Sequence, residues 1–349
     1  MVGNIRQKKS RRKKIENVFL WVLAASVIVA IMLIATALGG SQFGMLAFWG
    51  IAFIVSMAVL VKSADYFLES AERIGLAIGL SSFVVGVTIV AMGTSLPELL
   101  TSLIATMRGA TEFAAADVVG SNITNLLLVG GIAAIVARKL KIKFDILKVD
   151  IPLLLGATVV LALTLYDGLF TFYEGILCFA IFLIYIAYSL SVKRMKIEDH
   201  HRKLKWWVPV MFVGSCIGIY IGSHYTVESV IRLSDLFGFG NTSVIAITAV
   251  ALGTSLPELF VSIAAVRKGN MEMAVGNIIG SNIFNIGLVM AIPSFLVTLT
   301  APPTVLLGLM LMIGATLVYI FTSMDKEITA FEGAMLVVIY ILFIGMMFG

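Results

Sequence analysis

Charge is what this chain has least of. Asp, Glu, Lys and Arg make up 13% of its 349 residues, against 60% hydrophobic residues and a mean hydropathy of +1.05. A water-soluble domain of this size cannot hide that much apolar surface, whereas apolar runs of about 20 residues match a bilayer core. Cysteine is almost absent, and Cys178 and Cys216 both fall in apolar runs, where they read as small buried hydrophobes rather than as a disulfide or metal ligands. Two of the three histidines, His200 and His201, lie in a polar stretch, which excludes a soft-metal cluster. The longest polar connection, about 193–206, is too short for a folded extramembrane domain. A polytopic helical membrane protein remains.

The first 16 residues carry Arg6, Lys8, Lys9, Arg11, Arg12, Lys13 and Lys14, directly before an apolar segment that begins at Val18. That order reads as a cytoplasmic anchor rather than a nucleic-acid-binding arm. The apolar segment, within 17–40, reads as a retained extra transmembrane helix; a signal anchor is the alternative, since Ala35-Thr36-Ala37 resembles a cleavage site. Ten further spans are expected near 44–68, 81–106, 113–137, 148–166, 170–192, 207–229, 241–266, 272–297, 302–323 and 329–348. With residue 1 cytoplasmic, only Arg108 and Arg232 of the 25 basic residues fall on the outer side, which supports this count and its parity. The C-terminus is then extracellular, and the host bilayer is expected to be the plasma membrane.

One hexapeptide occurs twice. Gly-Thr-Ser-Leu-Pro-Glu fills 93–98 and again 253–258. Val119-Gly120-Ser121-Asn122-Ile123 with Asn125 returns as Ile279-Gly280-Ser281-Asn282-Ile283 with Asn285, at the same offset of 160 residues. Weaker echoes join Ser63, Tyr66, Glu69 and Ser70 to Ser223, Tyr225, Glu228 and Ser229, and Tyr173-Glu174-Gly175 to Phe331-Glu332-Gly333. A duplicated unit fixes the architecture. Five spans per unit, an odd number, turn the second unit over, giving a first repeat at 41–192, a linker at 193–206 and an inverted second repeat at 207–349.

Pro97 has no N–H and its ring clashes with the carbonyl of Gly93, so the helix opens around 91–95; Pro257 does the same to Gly253. Carbonyls freed at that depth must line a protein cavity or coordinate something. Glu98 follows, where a carboxylate is costly unless compensated. Thr94 and Ser95 precede it by four and three residues, so their hydroxyls are expected on its face; Ser121 and Asn125 pair likewise on the next helix. The second unit supplies Thr254, Ser255, Glu258, Ser281 and Asn285. Pooled at mid-bilayer, this is an all-oxygen donor set, suited to Ca²⁺ or Na⁺ and not to Zn²⁺ or copper. Two carboxylates offset one Ca²⁺ or two Na⁺.

At these residues the chain resembles the cation/calcium antiporter superfamily, in its sodium/calcium exchanger branch of prokaryotic type. The resemblance covers about 44–348 and is most specific at 81–131 and 241–288. It implies a secondary antiporter, not an enzyme, working by alternating access and electrogenic at three Na⁺ per Ca²⁺, that uses the Na⁺ gradient to extrude Ca²⁺. By position it implies that Glu98 and Glu258 contact both ions and that Thr94 and Thr254 help hold Ca²⁺. It further implies Na⁺ ligands at Ser95, Ser121, Ser255 and Ser281, backbone carbonyls from Ala91 and Ala251, and a central pair at Asn125 and Asn285. No cofactor, nucleic acid or obligatory protein partner is implied, and a monomer in the lipid bilayer suffices. Three departures stand out. Both members of the central pair are Asn where one is often Asp. Asp117 stands where the other repeat has Asn277, either attracting cations at the outer mouth or capping a helix start. The extra first helix is not needed by the core. Relatives that exchange Ca²⁺ for H⁺ carry a Gly-Asn-x-x-Glu pattern, absent around 94–98 and 254–258.

Overall fold

The computed structural model describes residues 42–142, 148–192, 204–237 and 253–348. The basic N-terminus, the extra helix expected at 17–40, most of the linker and Ala251 lie outside the described residues. Within them the first half forms α1 (Gln42–Ala77), α2 (Ser82–Met107), α3 (Phe113–Ala137), α4 (Asp150–Thr164) and α5 (Phe172–Val192). The second half forms α6 (Trp207–Phe237), α7 (Leu256–Arg267), α8 (Met271–Ser294), α9 (Pro303–Ser323) and α10 (Ala330–Phe348). Seven of the described helices are long and apolar enough to cross a membrane, and α4 and α10 are shorter apolar helices.

The boundaries follow the apolar runs except in α1 and α6. Hydropathy ends these near 68 and 229, yet both continue to Ala77 and Phe237. Pairs one turn apart, Glu69–Arg73 at 2.6 Å and Glu228–Arg232 at 2.7 Å, support the helix beyond its apolar part.

α1 and α6 cross closely through small residues. Thr226 Oγ1 donates to Ser56 Oγ at 2.9 Å, a Cβ at Gly222 would lie 2.8 Å from the Leu60 amide nitrogen, and one at Gly218 would strike the Ser63 hydroxyl. Small residues one turn apart let two backbones approach where no hydrophobic effect drives them together. Numbers rise along α1 as they fall along α6, so the leading helices of the two halves are antiparallel. The ends match: the Arg232 guanidinium lies 5.9 Å over Trp49, and Arg73 lies 4.9 Å over Trp207.

Two short ladders say the same. β1 (Lys139–Lys141), after α3, pairs with β4 (Glu327–Thr329), before α10; β2 (Leu169–Phe170), before α5, pairs with β3 (Leu299–Thr300), after α8. α4 runs from β1 to β2, so the ladders sit at opposite ends of the bundle. α3 finishes at one and α8 at the other, so the halves point in opposite directions.

The Glu174 and Glu332 echoes are helix starts. Glu174 Oε2 accepts from the Thr171 amide at 2.6 Å and its hydroxyl at 2.9 Å, and Glu332 Oε2 accepts from Thr329 at 2.7 and 2.8 Å. The glycine after each sits at a crossing: a Cβ on Gly333 would lie 2.6 Å from the Gly131 carbonyl. The bundle closes around α3 and α8, and 94% of the apolar window of α8 is buried. Both cysteines are free, Cys178 buried and Cys216 half-buried.

Candidate functional site

The duplicated hexapeptide lies where α2 and α7 break. α2 is helical through Ala91–Thr94, stops at Ser95 (φ −91°, ψ 5°) and restarts at Leu96. Ser255 repeats this with φ −89°, ψ 1° ahead of α7. Pro97 and Pro257 are each the second residue of the new helix, where no intrahelical N–H bond is required. The proline starts a helix at mid-depth, and the carboxylate follows in its first turn.

Wider, π-type turns appear beside each break. They span Gly86–Val90 in α2, Thr124–Val129 in α3 and Asn285–Val289 in α8. Asn125 and Asn285 therefore sit in matching wide turns, which rotate the following residues and thin the backbone ladder beside the cluster.

The breaks redirect Thr94 and Ser95. Helical spacing places both hydroxyls on the face of Glu98; instead they cross to the other half. Ser95 Oγ donates to Glu258 Oε1 at 2.9 Å, and Thr94 Oγ1 meets Asn277 Oδ1 at 3.3 Å. Helical phase is reset at Ser95, so counting back from Glu98 does not carry through. The Ala91 carbonyl is also engaged, accepting from the Ser95 amide at 3.0 Å and from Thr94 Oγ1 at 3.2 Å.

Glu98 and Glu258 are 1% and 0% exposed, and Glu98 lies within coulombic reach of Glu258 and Asp117. Both oxygens of Glu98, Oε2 of Glu258, Oγ of Ser255 and Ser281, both polar atoms of Asn125 and Oδ1 of Asn285 are buried without a hydrogen-bond partner among the described residues. Ser121 joins them, 3.4 Å from Thr254 across the two halves. Of the twelve expected site residues, Ser95 meets Glu258 and Ser121 meets Thr254 across the halves, while Thr94 goes to Asn277. Glu98, Ser255, Ser281, Asn125 and Asn285 are buried on α2, α3 and α8 and at the start of α7. The Ala91 carbonyl is turned into its own helix, and Ala251 lies outside the described residues.

Burying a carboxylate without a partner costs several kcal/mol, as does each stranded polar atom. No described lysine, arginine or histidine pairs with either glutamate; the described ion pairs join other, partly exposed residues. A cation would supply the missing balance, and the donors define which kind would fit. They are carboxylate, amide and hydroxyl oxygens from four helices, fitting the six to eight flexible oxygen contacts of Ca²⁺. No three His, Cys, Asp or Glu side chains converge tightly enough among the described residues to hold a metal by themselves, so neutral oxygens must share the work.

Sequence reasoning passed over an inner amide belt. Asn285 Nδ2 donates to Asn122 Oδ1 at 3.2 Å, Asn122 Nδ2 to the Asn282 carbonyl at 3.3 Å, and Asn282 Nδ2 to the Ile278 carbonyl at 2.7 Å. The belt ties α3 to α8 and occupies the NH₂ of Asn285, leaving its oxygen for the cluster. The shared Gly-Ser-Asn was its signal, since its asparagines recur at the same offset. Asp117 caps no helix. It lies inside α3, 8% exposed, and Glu112 holds the cap position.

A family model described as sodium/calcium exchanger protein matches residues 48–191 and 207–349. The sodium/calcium exchanger MaX1 of Methanosarcina acetivorans is 33% identical over 341 residues, covering 84% of this chain and 97% of that protein. The inner membrane protein YrbG of Escherichia coli is 34% identical over 256 residues, covering 70% and 78%. The solved structure of the sodium-calcium exchanger NCX_Mj soaked with 2.5 mM Na⁺ and 10 mM Sr²⁺ aligns with a TM-score of 0.76 at 29% identity, covering 86% of this chain and 99% of that one.

Proposed function

The chain belongs to the sodium/calcium exchanger family, and from that premise we propose that it extrudes Ca²⁺ across the plasma membrane against Na⁺ entering on one shared set of ligands. The carrying observation is the pair of buried glutamates from opposite breaks, three of whose four oxygens have no partner among the described residues while the fourth accepts from Ser95 of the other half. An ion between Glu98 and Glu258 touches both halves at once, so it is held only while they are closed on each other. Ca²⁺ is gripped by Glu98, Glu258, Thr94 and Thr254. Na⁺ takes Ser95, Ser121, Ser255 and Ser281, with carbonyls of Ala91 and Ala251 offered once the helix breaks open. Asn125 and Asn285 close the centre.

Three Na⁺ against one Ca²⁺ carries one net charge per cycle, which the membrane potential biases by about 2.3 kcal/mol per 100 mV. The orientation follows the bases. Lys139 lies on β1, whose ladder partner strand β4 begins one residue after Lys326, and Lys141 donates its amide to Met271 Sδ at the start of α8. Lys268 and Asn270 bond Asp65 and Glu72 on the last turns of α1, beside Arg73. This basic end faces the cytoplasm, and the end bearing Arg108 and Arg232 faces out.

Counterflow in proteoliposomes tests the proposal. Ca²⁺ uptake requires internal Na⁺, a pH gradient does not replace it, and uptake without counter-ion, as in a channel, is absent. Glu98→Gln and Glu258→Gln each abolish exchange. Normal uptake by either variant removes the glutamate pair from the mechanism.

A further inference from the structure

The two repeats place unlike groups at one equivalent position. In the second half, Asn277 donates Nδ2 to Ser262 Oγ at 3.0 Å and its Oδ1 meets Thr94 of the first half at 3.3 Å. In the first half, Asp117 accepts from Ser102 Oγ through Oδ2 at 3.0 Å and turns Oδ1 toward Thr254 of the second half at 3.5 Å. The scaffold is shared down to the serine and the opposing threonine. Only the charge differs.

The oxygens around Asp117 are spaced for an ion rather than for hydrogen bonds. Asp117 Oδ1, Ser121 Oγ and Thr254 Oγ1 form a triangle with edges of 3.5, 3.5 and 3.4 Å. Hydroxyl-to-oxygen bonds sit near 2.7–2.8 Å, so these separations are long for any of the three pairs. Octahedral cation–oxygen bonds of about 2.3–2.6 Å set neighbouring oxygens about 3.3–3.7 Å apart, whereas the shorter bonds of Mg²⁺ set them near 3.0 Å. The triangle's edges match one face of the oxygen shell around an ion the size of Na⁺ or Ca²⁺ and are too wide for Mg²⁺. A second, independent pointer lies within coulombic reach: Glu98, 1% exposed, with both oxygens unpartnered among the described residues.

The geometry points to Asp117 as a third anionic ligand, completing with Ser121 and Thr254 a monovalent-cation position on the α2–α3 loop side of the glutamate pair. One carboxylate balances one Na⁺, and Ser102 fixes the other oxygen so that Oδ1 stays aimed at the triangle. At the equivalent position the second half carries the amide of Asn277, so the two halves differ in charge there although they share a scaffold.

This inference rests on the Na⁺/Ca²⁺ reading of the glutamate site, and its test separates the two. ⁴⁵Ca²⁺ binding to the purified full-length protein is measured in Na⁺-free buffer and then against rising Na⁺, for the wild type, Asp117→Asn and Ser102→Ala. With an unchanged Tm reporting an intact fold, Asp117→Asn loses less Ca²⁺ affinity without Na⁺ than it loses sensitivity to Na⁺, since the charge removed lies near Glu98 but is not a ligand of Ca²⁺. It needs at least fivefold more Na⁺ for half-displacement, with a shallower displacement curve, and Ser102→Ala moves the same way by less. A Na⁺ curve like the wild type's overturns the Asp117 position. So does a matching loss of Ca²⁺ affinity, which would make Asp117 a ligand of the Ca²⁺ ion itself. Wild-type Ca²⁺ binding that is indifferent to Na⁺ overturns the exchanger site beneath it.

Discussion

Replacing Gly280 by alanine tests whether backbone packing sets the ion site. Gly280 lies on α8 next to Ser281, and an added Cβ would sit 2.5 Å from the Val87 carbonyl and 2.8 Å from the Ala91 Cβ on α2. Neither contact is the tip of a flexible side chain, so the helices must separate. Restoring an ordinary contact of about 3.4 Å requires a shift of about 0.9 Å, the order of displacement that costs about a hundredfold at a preorganised site. Cation–oxygen bonds vary by only about 0.3 Å, so ligands on α2 and α8 cannot both follow one ion after such a shift. The expected result is Ca²⁺ affinity lower by about a hundredfold, near 2.7 kcal/mol, with folding destabilised by about 1–3 kcal/mol from overpacking. Equilibrium ⁴⁵Ca²⁺ binding and thermal unfolding in detergent read the two effects. Gly156→Ala, inside α4 where the added Cβ meets nothing within 4 Å among the described residues, is the control: it leaves Ca²⁺ affinity unchanged and does not lower the Tm. Wild-type Ca²⁺ affinity in Gly280→Ala would refute the claim that the α2–α8 contact holds the ligands in register.

Other predictions address the frame. Glu174→Ala and Glu332→Ala each remove a cap that accepts from both a threonine amide and its hydroxyl. Each is expected to cost about 1 kcal/mol, read as a lower Tm, with ion affinity intact; a loss of Ca²⁺ binding at an unchanged Tm would contradict the structural role. The double variant Ser56→Cys with Thr226→Cys, at positions whose oxygens are 2.9 Å apart, is expected to cross-link on mild oxidation in membranes. Failure to cross-link, with both thiols shown to be reactive, would count against the antiparallel α1–α6 pairing.

The duplicated hexapeptide carried most of what the sequence could disclose. Its 160-residue offset exposed the two halves, and the apolar runs placed the helix boundaries, because burial in lipid leaves a plain hydropathy record. The polar ends of α1 and α6 escaped that record, since Glu69–Arg73 and Glu228–Arg232 extend a helix without being apolar. Partner choice was hidden for another reason. Ser95 bonds Glu258 rather than facing Glu98 because the chain breaks at Ser95 itself, and a phase counted along an unbroken helix is lost there. The wide turns at Asn125 and Asn285 and the burial of Asp117 are decided by the packing of α3 against α8, which no local pattern records. The exchange of Asp117 for Asn277 was plain in the sequence; what it left hidden is that both sit on one scaffold, a serine of their own half and a threonine of the other.

The ladders joining β1 to β4 and β2 to β3 have a consequence for biogenesis. Each strand of one half finds its hydrogen-bond partner only in the other, and β4 lies about twenty residues from the last helix end. A nascent chain leaving the translocon therefore carries Glu98 through the bilayer long before the second-half oxygens that would share a cation with it exist. Until α7 and α8 arrive, that acid is an unmatched burden which lipid or an insertion chaperone must tolerate. The ladder at β4 closes later still. Late truncations should then be cleared by quality control as orphan fragments, while the two halves co-expressed as separate chains retain a route to complement each other.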